Sequence, residues 1–468
     1  MRKGDELTLT IEKFADRGKS LTRLDGYVVF VPGAVPGDNV LAKVVRKKKK
    51  FAEARLVEVL SPSPLRTDPT CTYFGSCGGC KLQHVQYEAQ LDAKRQSVVE
   101  ALQFQGGYEN IEVNPIIGAE EQFRYRNKME YTFSSSRWLT SEEIASDERF
   151  DTSFALGMHA PGRYNRVIDL QTCYLPAEIS VRLLNGFRQL AKAERWDCWD
   201  VRKHVGYLRN LVVRTGQRTG DLMVNVVTNG FDEDRFDRMT EYVKASFPEV
   251  TTFLNTIHTG LAQVAIGEEH HIGIGDGLIR DEIGGFTFEI GPGAFFQTNT
   301  VQAERLYEVA REFSEAGPDD LVYDLYCGAG TISIFMAPHV RHVVGVELVP
   351  EAIENAHTNA QKNNITNCTF LDGDMRRIFT PAFVQKHGKP DVLIVDPPRA
   401  GMHPKVVAQI AELQPARFVY VSCNPQTQAR DLSMMGDIYE IEAVQPVDLF
   451  PHTYHIENVI KLRARSAA

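Results

Sequence analysis

Along the first sixty residues, apolar side chains come in short bursts: ELTLTIE, YVVFVPG, NVLAKVV and EARLVEVL. Apolar and polar positions alternate within each burst, which marks half-buried strands, and the intervening DRGKS, LDG and VPGD carry turn chemistry. Four or five short strands in so little chain predict a small β-barrel of oligonucleotide-binding (OB) type over residues 1–62, ended by the linker SPSP at Ser61–Pro64. The pattern from about Thr67 to Gly285 is mixed. A cysteine cluster precedes a helical period over Tyr87–Phe104, and strands follow at KMEYTFS, NLVVRTG and DLMVNVV. The polar run Ser134–Ser153 reads as an exposed insertion, so a central α+β domain is expected over residues 63–290.

From residue 291 the rhythm changes, because strands now alternate with helical patterns: LVYDLYCGAG, HVVGVEL, NCTFLDGD, DVLIVDPP and RFVYVSC, then two last strands. This predicts a Rossmann-like, doubly wound α/β sheet of seven strands over residues 291–468. The closing pair, roughly Ile438–Val447 and His455–Leu462, has no helix between its strands, so the last strand should run antiparallel. Ligands of such sheets sit beyond the carboxyl ends of the strands, where each motif below falls.

The first strand ends in DLYCGAGT, Asp324–Thr331, whose glycines let a ligand approach the backbone. The second ends in Glu347, an acidic side chain able to accept both hydroxyls of a ribose. No P-loop lysine follows the glycines, which suits an adenosine without phosphates, and S-adenosylmethionine fits that description. Asp374, in LDGD, is placed either to contact an adenine amino group or to hold a turn. The prolines in DPPR, Asp396–Arg399, make a rigid shelf that could face a planar base. In YVSCNP, Tyr420–Pro425, a proline stops the strand just after Cys423, so this thiol faces the ligand side, where packing, metal ligation and nucleophilic attack all compete.

Composition narrows the setting. The 468 residues, 43% hydrophobic and 24% charged, suit a globular chain of about three domains. No apolar run is long enough to span a membrane and MRKGDELTLT lacks the apolar core of a signal peptide, so a cytoplasmic protein is expected. In that compartment eight cysteines favour metal or catalytic roles over disulfides. The net charge of −9 argues against nucleic acid, yet Lys43–Arg55, KVVRKKKKFAEAR, is strongly basic and points toward it. Cys71, Cys77 and Cys80 form C-x5-C-x2-C, three clustered thiols that need a fourth ligand, whereas Cys198, Cys327 and Cys368 read as packing residues.

The ordered set FFQTN (Phe295–Asn299), DLYCGAGT, GVE, DPPR, SCNP and HIENV resembles the RNA uridine-5-methyltransferases. In the front half, CTYFGSCGGC followed by KLQHVQYEAQL resembles the iron-sulfur members of that family, and the barrel looks like their TRAM domain. The resemblance implies a class I methyltransferase fold and methyl transfer from S-adenosylmethionine to carbon 5 of a uridine in RNA. It implies that Gln297, Tyr326, Glu347 and Asp396 bind S-adenosylmethionine, that Cys423 is the nucleophile and that Glu457 is the base. It further implies a [4Fe-4S] cluster on Cys71, Cys77, Cys80 and Cys173, the last from LQTCYLP, with zinc on the same thiolates as the chemical alternative. Barrel and cluster together favour 23S ribosomal RNA as the partner of a monomeric enzyme. The alternatives are a transfer-RNA uridine-5-methyltransferase, a base-amino methyltransferase and a non-catalytic iron-sulfur RNA-binding protein. Two features depart from the family pattern: DRGKS replaces a more glycine-rich turn, and the insertion after Phe133 is long.

The chemistry explains the residue types. Carbon 5 of uracil is a weak nucleophile; a thiolate adding at carbon 6 creates an enolate that can take the methyl group, and a base must then remove the carbon-5 proton. A free thiol, with its pKa of about 8.5, is mostly neutral at pH 7, so the site should lower it, in part through the helix start after Cys423. FRYRNK, Phe123–Lys128, offers aromatic and cationic side chains to a flipped base, an exposed strand edge being the rival reading.

Overall fold

The computed structural model describes residues 1–465. Six strands between Glu6 and Ser61 form the barrel sheet, and Leu9, Val29, Val31, Val40 and Ala52 fill its interior. The buried Asp38 carboxylate accepts from the Val35 and Ser63 N–H groups at 2.6 and 2.8 Å and from Arg66 Nε at 2.8 Å, which fastens the SPSP linker to the barrel. Phe14 and Val35 in turn pack on Leu82, Val85 and Ala89, so the barrel docks on the segment just after the cysteine cluster.

A second sheet of seven strands has Lys128–Ser134 and Leu208–Thr215 at its centre. The helices Glu178–Ala193 and Glu233–Ser246 cover it through Leu183, Phe187, Met239 and Val243. The polar insertion holds one short helix, Ser141–Ala145, started by a capping box between Thr140 and Glu143.

The C-terminal sheet comprises β1 (Leu321–Leu325), β2 (His342–Glu347), β3 (Cys368–Asp372), β4 (Val392–Val395), β5 (Arg417–Ser422), β6 (Tyr439–Val447) and β7 (Glu457–Ala464). Its order is β3-β2-β1-β4-β5-β7-β6, and β7 pairs antiparallel with both β5 and β6. Helices cover both faces, which is why β1, β4 and β5 are apolar almost throughout. The helix Tyr87–Phe104 forms where its period predicts, but its buried Val98, Ala101 and Leu102 pack with Leu432, Met435 and Tyr439 of the C-terminal unit. The hairpin Ile279–Ile283 with Phe286–Ile290 joins the opposite face, beside Leu306 and Phe335. Both ends of the stretch 63–290 therefore lie against the C-terminal sheet. An amphipathic pattern shows that a face is buried without naming what buries it. Among the described residues no helix is long and apolar enough to cross a membrane.

Candidate active site

The loops at the carboxyl ends of β1, β2, β4 and β5 and the start of β7 surround one cavity of about 1920 Å³. Gln297, Tyr326, Glu347, Asp396, Cys423 and Glu457 all line it. Tyr326 leaves β1 with φ 69°, a left-handed conformation that a bulky residue rarely adopts outside functional turns. Its N–H and that of Cys327 both donate to Val346 O on β2, at 2.9 and 3.1 Å. Gly330 follows at φ 77°, where a Cβ would stand 3.0 Å from both Ala356 and the Phe370 ring, so only glycine fits this turn. The Glu347 carboxylate is oriented by the backbone: Gly328, Leu348 and Val349 donate to it at 3.2, 2.7 and 3.1 Å. Gln297 is anchored through its carbonyl, which accepts from Asn127 Nδ2 at 2.9 Å. Asp374 also lines the cavity, but its carboxylate caps the helix Met375–Ile378 and is clamped by Arg376, with Nε at 2.8 Å, so its observed partners are those of a turn residue.

The SCNP turn is built from its own polar groups. Ser422 Oγ accepts from Asn424 N–H at 3.1 Å; Asn424 Oδ1 accepts from Gln426 N–H at 3.2 Å, and Pro425 opens the helix Pro425–Ser433. Asn424 Nδ2 and Thr427 Oγ1 both donate to Arg399 O, at 2.9 and 3.3 Å, locking this turn to the DPPR shelf. The Arg399 guanidinium lies near enough to the Cys423 thiol to favour its charged form. The last ladder pair between β5 and β7 is Ser422 with Asn458. Cys423 leaves the strand just beyond that pair and Glu457 begins β7 beside it; both line the cavity and Glu457 acts electrostatically on the thiol.

This pocket is acidic. Burial pushes the Cys423 thiol up to about 11, Glu457 and Asp396 add to the rise, and Arg399 opposes it. Burial and the neighbouring Asp324 push Asp396 up to about 7. Glu457 is held well above the ordinary carboxylate range by burial and by Asp396. The expected lowering of the thiol by the helix start is therefore outweighed by burial and the two neighbouring carboxylates.

The segment between β6 and β7 delivers Glu457, and it is tied down along its length. Lys94 and Asp448 form a buried ion pair at 2.6 Å, and Tyr87 Oη and Phe450 N–H also donate to Asp448, at 2.9 and 3.0 Å. Lys81 and Leu82, directly after Cys80, donate their N–H groups to His452 O at 2.9 and 3.0 Å. Phe123 stacks on His452 with ring centroids 4.3 Å apart, and Tyr125 Oη donates to Pro451 O at 3.0 Å. FRYRNK is thus not an exposed edge: Tyr125 is buried, and Arg126 and Lys128 line the cavity.

Cys71, Cys77, Cys80 and Cys173 are free thiols on another wall of the same cavity. They act on one another electrostatically, and burial pushes Cys80 up to about 12 and Cys173 to about 11. Gly79 N–H and Gln83 Nε2 are aimed at Cys77 and Cys80 sulfur, at 3.4 and 3.2 Å. Among the described residues no three ligating side chains are close enough to hold a metal ion, so a preformed centre is not seen. The donor set is nonetheless of the right chemistry for a thiophilic metal, which would displace the thiol protons: four thiols share one wall, with Gly79 N–H and Gln83 Nε2 aimed at sulfur. Cys198 and Cys327 pack in apolar cores and Cys368 lies against one. The proximity of Arg399 to Cys423 and the ties of segment 448–452 escape sequence reasoning, although DPPR itself was a signal.

A sheet of this order, with a glycine turn after β1 and an acid ending β2, defines an S-adenosylmethionine-dependent methyltransferase. Residues 279–465 match the family model described as tRNA (Uracil-5-)-methyltransferase, and residues 2–57 match the TRAM domain. The chain is 43% identical over 454 residues to an uncharacterized RNA methyltransferase from Bacteroides thetaiotaomicron, covering 96% of this chain and 100% of that one. Against an uncharacterized RNA methyltransferase from Porphyromonas gingivalis it is 44% identical, with coverage of 97% and 99%. The structure of Pyrococcus abyssi tRNA (uracil-54, C5)-methyltransferase with S-adenosyl-L-homocysteine matches at a TM-score of 0.75 and 28% identity, over 97% of this chain and 100% of that one. The chain belongs to the RNA (uracil-5-)-methyltransferase family and carries its TRAM domain.

Proposed function

We propose that the protein methylates carbon 5 of a uridine in 23S ribosomal RNA through a covalent bond from Cys423 to carbon 6. The observation that carries this reading is that Cys423 and Glu457, at the adjoining ends of β5 and β7, line one cavity with Asp396 and Tyr326 and act on each other electrostatically. Gln297, Tyr326, Glu347 and Asp396 hold S-adenosylmethionine, which supplies the methyl group and a sulfonium charge. Cys423 Sγ adds to carbon 6 while Arg399 steadies the thiolate. After transfer to carbon 5, Glu457 takes the carbon-5 proton, and the Sγ–C6 bond breaks to restore the ring. Cys71, Cys77, Cys80 and Cys173 hold a [4Fe-4S] cluster, which serves to order the wall next to the RNA path.

The test is covalent trapping on 5-fluorouridine-substituted 23S and transfer RNA, with the adduct mapped by mass spectrometry. An adduct at Cys423 on ribosomal RNA is expected, and methylation surviving Cys423→Ala would sink the covalent mechanism. Transfer RNA is the second reading, favoured by the Pyrococcus abyssi enzyme, whose name places it on uracil-54 of tRNA. That likeness spans 97% of this chain, so the architecture as a whole does not single out ribosomal RNA. An adduct on transfer RNA alone decides for it. Anaerobic purification should give a brown, iron-containing protein; a colourless one carrying zinc would replace the cluster with the tetrathiolate alternative.

A further inference from the structure

A second cavity, of about 550 Å³, opens beside the first. Its walls are the end of the strand Lys128–Ser134, the turn 164–167 and the loop 197–206. The two cavities adjoin: Gln263 lines both, while Thr132 lines the first and Ser134 the second, about 7 Å further along the strand at roughly 3.3 Å per residue. The volume lies in the range of small-ligand sites, roughly 300–1,000 Å³.

Its lining carries unmet hydrogen-bonding capacity of both signs. Trp199 is 4% exposed and its indole N–H has no acceptor, and Gln263 Oε1 has no donor. Buried polar groups without partners are rare enough to need a reason. The rim carries three cations, Arg166, Arg202 and Lys203, against two carboxylates, Asp197 and Asp200. Asp200 spends its carboxylate on the N–H groups of Arg202 and Lys203, at 2.9 and 3.1 Å, and Asp197 faces Arg235 at 3.5 Å. Arg166 stacks on Trp138 at 4.8 Å and Arg202 donates to the Asn165 amide oxygen, while Lys203 forms no ion pair within 4.0 Å among the described residues; Tyr164 stands 74% exposed beside them. An exposed aromatic face, a cluster of three cations and a donor–acceptor pair are what an unstacked nucleotide needs.

We propose that this cavity is an RNA subsite that takes one unpaired nucleotide of the substrate beside the target uridine. Its base stacks on Tyr164 and turns an edge to Trp199 and Gln263, and Arg202 and Lys203 meet its phosphate. The subsite rests on the RNA reading above, and it extends recognition past the reacting base onto a second extruded one, a cost of unstacking that loop RNA bears most easily.

The experiment uses the full chain with in vitro transcribed 23S and transfer RNA carrying 4-thiouridine. Crosslinked peptides from residues 164–167 or 197–206 are expected. Tyr164→Ala, Lys203→Glu and the cavity-filling Ser135→Trp should each raise KM for the RNA about tenfold and leave S-adenosylmethionine affinity unchanged. The surface change Lys203→Glu keeps the test meaningful where Ser135→Trp disturbs folding. If the wild type methylates RNA while all three variants keep its KM, the subsite is wrong and the enzyme reading stands. If the wild type methylates neither RNA, the enzyme reading fails and the subsite falls with it.

Discussion

Cys423 shares its pocket with two carboxylates that burial and mutual repulsion keep protonated more readily than usual, so its thiol is neutral near pH 7. Arg399 is the cation that opposes this, and the sulfonium of S-adenosylmethionine brings a second. Alkylation of Cys423 by iodoacetamide should therefore be slow in the free protein, rise about tenfold per pH unit above neutrality, and slow further in Arg399→Ala. S-adenosylmethionine should speed it and S-adenosylhomocysteine, similar in shape but uncharged at sulfur, should not. Equal rates with the two would remove the sulfonium from the argument. The base has its own signature: Glu457→Gln can still form the Cys423 bond and accept the methyl group but cannot clear the carbon-5 proton, so an RNA adduct should persist through denaturing electrophoresis with unsubstituted RNA. Asp396 gives the pH dependence of stability. Its folded-state pKa of about 7 lies above the ordinary carboxylate range, so the folded form holds a proton that the unfolded chain releases. That contribution is complete below about pH 4 and is lost as pH rises through 7, so Asp396→Asn should raise the melting temperature at pH 8 and leave it nearly unchanged at pH 4.

The elements decide which of these groups meet. Period-two and helical patterns place the strands and the helix Tyr87–Phe104 correctly, and the motifs at strand ends identify Tyr326, Glu347, Asp396 and Cys423 as one ligand face, because a parallel sheet points every carboxyl end the same way. What the pattern leaves unread is long-range. Glu457 comes to the end of β5 beside Cys423 only because β7 inserts between β5 and β6, a pairing that alternation alone does not specify. Lys94, on the helix Tyr87–Phe104, is buried against Asp448, some 350 residues away, as part of the brace on the segment that delivers Glu457. Removing one partner of a buried pair leaves an uncompensated charge, so Lys94→Met should lower stability by about 3–5 kcal/mol in urea unfolding. Adding Asp448→Asn should recover much of that loss. If Lys94→Met changes neither the urea midpoint nor kcat, the pair does not brace the base.

At the scale of the whole molecule, the sum of charges and their placement point in opposite directions. The chain carries −9, yet the hairpin between the strands Asn39–Lys47 and Phe51–Ser61 ends in Lys48, Lys49 and Lys50, which form no ion pair among the described residues. Their neighbours are spent internally: Lys43 pairs with Glu6 at 3.2 Å and Arg46 with Glu53 at 3.9 Å. The barrel lies close to the active-site segment: a Cβ added at Gly18 would stand 3.2 Å from Lys81 and 3.7 Å from Tyr454, so barrel, cysteine loop and the segment before Glu457 meet at one point. Three free cations at the hairpin tip should each neutralise one phosphate, releasing one condensed counterion apiece. Replacing all three by glutamate should then weaken RNA binding at low salt and reduce the slope of log K against log salt concentration by about 2–3, from roughly 0.7–0.9 per lost phosphate contact. Glu457→Gln should leave that slope untouched, since this side chain is buried in the cavity and held toward its neutral form. A triple variant with the wild-type slope would show that the barrel tip does not touch RNA and that the cations lining the main cavity, Arg126 and Lys128, bear the electrostatic load instead.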